Sequence, residues 1–80
     1  MQVTETTLLC AFDYAVGRST YVVPEVTKDI LQVADTLTDN AKFYMIKELN
    51  RRYSVNALGM EQDKKEWLKV LDALKGGTNA

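Results

Sequence analysis

Apolar residues recur at spacings of three and four along most of this chain, which is the period of an amphipathic α-helix. Four such stretches follow one another. Their apolar positions are Leu8, Leu9, Phe12, Ala15 and Val16; then Val26, Ile30, Val33, Ala34 and Leu37; then Ala41, Met45, Ile46, Leu49 and Tyr53; and finally Trp67, Leu68, Val70, Leu71 and Leu74. The pattern predicts an all-α fold, a compact bundle of about four short helices.

Capping residues set the expected limits of the first two helices. Thr4 is a suitable N-cap for the first helix, and Gly17 is a natural stop because glycine adopts the left-handed cap conformation at little cost. Val23 precedes a proline, which favours an extended backbone, and Pro24 suits the first turn of a helix. We therefore expect residues 18–23 to form a connector and the second helix to begin at Pro24.

The third helix is expected over residues 39–54 and the fourth over residues 60–74, where a glycine pair follows. Together these elements predict one helical domain over residues 1–75 and a flexible tail over residues 76–80.

Composition narrows the class of protein. With 80 residues, 46% of them apolar, and a net charge of -1, the chain is long enough for one small domain. A homodimer or a higher homo-oligomer stays open, since association would enlarge the core. No stretch approaches the length of a membrane span, and the first residues do not resemble a signal peptide. A single cysteine, Cys10, fits a reduced cytoplasm, and its position beside the apolar stripe predicts core packing.

Few residues here can support catalysis. The chain has no histidine, which is the commonest general base, and no glycine-rich phosphate loop. With one cysteine and no histidine, a transition-metal site is not expected either. We therefore expect a non-enzymatic protein with no catalytic residues, no metal and no cofactor.

The connector is the first candidate binding site. It combines a guanidinium, two hydroxyls and a phenol just before a helix, in Arg18, Ser19, Thr20 and Tyr21. Tyr14 precedes Arg18 by one turn. Arginine suits phosphate or carboxylate, helix N-termini favour anions, and tyrosine offers a stacking surface. In the alternative interpretation, Arg18 and Tyr21 only complete the first helix and close the core.

Arg51, Arg52 and Tyr53 form the second candidate, because arginine and tyrosine are enriched among the energetically dominant residues of interfaces. Cations near a helix C-terminus are favoured whatever the function, so a structural role stays open. A helix-turn-helix formed by the second and third helices would place Asp39 and Asn40 where bases are read. Specific nucleic-acid binding is therefore not expected.

The first half of the chain resembles a family of small bacteriophage proteins with the pattern Ala-Phe-x-Tyr-Ala-hydrophobic-Gly-Arg-x-Thr-Tyr-x-Val. The matching residues are Ala11, Phe12, Tyr14, Ala15, Gly17, Arg18, Thr20, Tyr21 and Val23. Later positions of the same resemblance are Lys47, Glu48, Gly59, Met60, Asp63, Glu66 and Trp67. The chain departs at Asp13, where relatives often have a basic residue. The resemblance implies a phage protein that acts in the cytoplasm of the infected host.

Two functions follow as hypotheses. The first is a non-catalytic protein that binds and neutralises a host protein, such as a component of an anti-phage defence system, through the aromatic and arginine residues above. The second is an oligomeric sponge for a nucleotide defence signal, in which Arg18 and Thr20 hold phosphate and Tyr14 or Tyr21 stacks on the base.

Overall fold

A computed structural model describes residues 4–17 and 22–76 of the chain. Its elements are α1 (Glu5–Ala15), α2 (Val22–Val33), a short 3-10 turn (Ala34–Thr36), α3 (Asp39–Ser54) and α4 (Glu61–Gly76). The described residues contain no strand, and the helices pack into one small bundle, which confirms the all-α prediction. None of the helices in this part of the chain is long and apolar enough to cross a membrane.

The predicted N-cap of α1 is confirmed. The Thr4 hydroxyl accepts a hydrogen bond from the backbone N–H of Thr7 at 3.1 Å. The chain leaves α1 through Val16 and through Gly17, whose φ of +84° favours glycine. Residues 18–21 of the predicted connector lie outside the described residues.

The predicted start of α2 is wrong by two residues. The helix begins at Val22, so Val23 is helical and Pro24 occupies the third position. Proline is tolerated there because the first four N–H groups of a helix have no partner within it. Val23 is fully buried in the core. This burial outweighs the bias of a residue before proline toward extended backbone.

The predicted bounds of α3 are confirmed, and both ends are capped. The Thr38 hydroxyl accepts from the N–H of Ala41 at 3.2 Å. At the other end, Asn56 takes the left-handed conformation with φ of 55°. The N–H of Asn56 then bonds the Tyr53 carbonyl, and the N–H of Ala57 bonds the Arg52 carbonyl. This pair of bonds is the Schellman ending of a helix, with asparagine in place of the usual glycine.

The core lies where all four helices meet, with Trp67 of α4 and Phe12 of α1 fully buried. Their rings meet edge to face, with centroids 5.5 Å apart. The other fully buried large apolar side chains come from α2, α3, α4 and the loop before α4: Val23, Ile30, Met45, Leu49, Leu58 and Val70.

The expectation that Cys10 packs in the core is wrong, because its side chain is exposed. The buried face of α1 is formed by Leu8, Phe12 and Ala15. Cys10 follows Leu8 by two residues, or about 200° around the helix axis, and therefore points away from that face.

The fourth helix extends one residue beyond the predicted domain limit, since α4 includes Gly76. The remaining residues assigned to a flexible tail, 77–80, lie outside the described part of the chain.

Candidate functional site

Most of the first candidate site lies outside the described residues, namely Arg18, Ser19, Thr20 and Tyr21. The structure gives the two ends of this segment, Gly17 and Val22. Tyr14 is described, and 58% of its surface is exposed on the outer side of α1. Binding by the segment from Arg18 to Tyr21 stays a prediction.

In the second candidate site, Arg52 is bound within the domain. Its Nε donates to the Glu48 carboxylate at 2.8 Å, and its Nη1 donates to the Ala57 carbonyl at 3.3 Å. The guanidinium also lies directly over Gly17, where any side chain would collide with it. Arg52 thus stabilises the end of α3 and packs against the end of α1, at a position where helix carbonyl groups favour a cation.

Arg51 is more accessible than Arg52 and shares its carboxylate partner. It binds Glu48 through two nitrogens, with Nη2 at 2.6 Å from Oε2 and Nε at 3.3 Å from Oε1. The hydrogen bonds from Arg51 hold the pKa of Glu48 below its ordinary value, against the opposing effect of burial, and those from Arg52 act in the same direction. Glu48 therefore stays ionised between two guanidinium groups.

Tyr53 lies on a different side of α3 from the arginine pair. It is 49% exposed, and the Lys64 ammonium from α4 lies 5.2 Å from the centre of its ring, a cation–π contact. Consecutive helical residues are separated by about 100° around the axis, so Arg51, Arg52 and Tyr53 point in three directions. The structure brings the two arginines together around Glu48 and separates Tyr53 from them.

Sequence analysis missed two exposed aromatic residues on α3. Phe43 is the more exposed, at 66%. The available signal was helical phase, because Phe43 follows the buried Ala41 by two residues and must point away from the core. Its position beside apolar neighbours hid this signal.

Tyr44 is the second residue, and it joins α3 to α1. Its hydroxyl donates to the Asp13 carboxylate at 2.6 Å, and its ring meets the edge of Phe12 with centroids 6.2 Å apart. The hydrogen bond to Asp13 raises the pKa of Tyr44 above its ordinary value. Asp13, the position that departs from the phage pattern, therefore serves as the acceptor in this contact.

Five residues share the outward side of α3, which we call the α3 face: Phe43, Ile46, Lys47, Asn50 and Tyr53. Ile46 is half-buried against the core, and the other four residues are exposed. Spacings of three, four, seven and ten residues place them in one stripe along the helix. The α3 face thus carries two exposed aromatic rings with a lysine between them.

Elsewhere in the described chain, a shallow groove of about 320 Å³ lies between α2 and α4. Its lining residues are Pro24, Thr27, Lys28, Leu31, Gln32, Glu66 and Lys69. Two of them, Glu66 and Lys69, form an ion pair at 3.6 Å. No three metal-ligating side chains converge in the described ranges. The groove contains none of the residues predicted from the sequence to bind a partner.

No family model matches this chain, and neither the curated proteins nor the solved structures compared with it gave a match. The side chains that the helices expose are therefore the basis for the function proposed next.

Proposed function

We propose that this chain is a phage-encoded, non-catalytic protein that binds a host protein and neutralises it, and that its target is a component of an anti-phage defence system. One structural observation carries the binding proposal: the α3 face exposes Phe43 and Tyr53 to solvent. The phage origin and the action in the host cytoplasm are supported by the resemblance described for the first half of the chain.

Exposed aromatic rings support binding because they contribute little to the stability of an isolated domain. Phe43 leaves two-thirds of its surface in water, where its ring gains little of the free energy that burial would provide. Aromatic and arginine side chains are enriched at the centres of protein interfaces. Arg51, with 60% of its side chain accessible, lies on the same helix.

Composition supports a non-catalytic mode of action. The chain contains no histidine, and the carboxylate and guanidinium groups around Glu48 are bound to one another. A protein of this kind would act by occupying a surface that its target needs. Such inhibition requires only affinity, which a few buried aromatic anchors can provide.

The test is an infection assay in bacteria. Cells that carry single anti-phage defence systems would be challenged with a phage that each system restricts, with and without the chain. We expect the chain to restore plaque formation against at least one system and to purify in a stoichiometric complex with a protein of that system. Failure to restore plaques against any system would overturn the anti-defence proposal.

Native mass spectrometry of the purified chain separates the proposed function from its alternative. A mass increase equal to a host protein supports neutralisation by binding. A homo-oligomer that carries a few hundred extra daltons per subunit, released on denaturation, would overturn the proposal in favour of the nucleotide sponge.

A further inference from the structure

We draw no further inference here: the strongest candidate, the α3 face, belongs to the site already described, and nothing in the structure shows what covers it, because exposed Asp39 offsets the charge of Lys47 on the same stripe.

Discussion

At the scale of single residues, Arg52 combines hydrogen bonds at the end of α3 with packing against the end of α1. It donates to Glu48 and to the Ala57 carbonyl, both in α3 or the turn after it, and its guanidinium packs against Gly17 at the end of α1. Glycine is favoured at position 17 for two reasons. Its φ is positive, and a side chain there would displace Arg52.

Gly17→Ala should therefore destabilise the protein more than the same change at Gly59, which has a φ of +85°. The positive φ alone should cost about 1–2 kcal/mol at either position. Gly17→Ala carries the further loss of the Arg52 contacts, so its free energy of unfolding should fall by about 2–3 kcal/mol. Urea denaturation followed by circular dichroism measures the free energy of unfolding of each variant. Equal losses at the two glycines would show that the Arg52 contact contributes nothing.

The Tyr44–Asp13 contact predicts a dependence of stability on pH. The pKa of Tyr44 is raised above 10.0 in the folded protein, so the folded state favours the protonated phenol. Its contribution to stability is full below pH 10, decreases above that value, and is lost once the pH exceeds the raised pKa. Tyr44→Phe should cost about 1 kcal/mol at pH 7 and progressively less from pH 10 upward. A difference between the two proteins that does not change with pH would contradict this assignment.

At the scale of elements, α1 caps α3. The Glu5 carboxylate accepts from the Thr38 N–H at 2.8 Å and from its hydroxyl at 2.9 Å. The same hydroxyl accepts from Ala41 and so caps its own helix. One carboxylate therefore fixes the start of α1 against the start of α3, across 33 residues of chain. At the opposite ends of the same helices, the Arg52 guanidinium packs against Gly17.

A double-mutant cycle should detect this coupling. Thr38→Ala removes an N-cap and should cost about 1–2 kcal/mol. Glu5→Ala should cost about 1 kcal/mol, because it removes two hydrogen bonds to a charged acceptor at a partly exposed site. The total loss of stability in the double variant should be smaller than the sum of the two single losses, by about 0.5–1 kcal/mol. Strict additivity in denaturant titrations would mean that the two residues act independently.

At the scale of the whole molecule, the aromatic residues include a buried pair in the core and an exposed pair on α3. Phe12 and Trp67 are buried together in the centre, whereas Phe43 and Tyr53 stand on the α3 face. A domain of this length has a total stability of about 4–12 kcal/mol. One core residue can therefore determine whether the chain folds, while an exposed residue can change with little effect on folding.

Trp67→Ala should remove about 3–5 kcal/mol, a large part of the total stability, because it leaves a cavity where the helices meet. Phe43→Ala should change the free energy of unfolding by no more than about 0.5 kcal/mol. Thermal unfolding followed by far-ultraviolet circular dichroism compares the stability of these two variants with that of the wild type. A large loss for Phe43→Ala would mean that its ring supports the fold, and would remove the main support for the binding role proposed for the α3 face.

The sequence was sufficient for the features that depend on local patterns. Helical periodicity predicted the fold class and the limits of α3, and Thr4 was predicted as the N-cap of α1. Long-range contacts had no local signal, because nothing near Glu5 indicates Thr38 and nothing near Asp13 indicates Tyr44. The start of α2 was missed because the burial of Val23 depends on the other helices.

For the candidate site, the sequence drew attention to α3 but not to Phe43, an exposed aromatic residue of the same helix. Arginine and tyrosine at positions 51–53 drew attention to α3, but their chemistry did not reveal that Arg52 is held by Glu48 and Ala57. Phe43 could have been identified from helical phase, as its direction is opposite to that of Ala41 and Met45.

The burial of Trp67 also provides an intrinsic reporter of the folded state. It is the only tryptophan of the chain, it has no exposed surface, and no described residue accepts a hydrogen bond from its indole N–H. An indole in such dry surroundings emits fluorescence at short wavelength, and its emission moves to longer wavelength when water reaches it. Phe12 lies between Trp67 and Tyr44, so a partner that shifts α3 relative to α1 should also change this emission. The protein therefore carries its own optical probe of folding and of motion at the α1–α3 contact, without any added label.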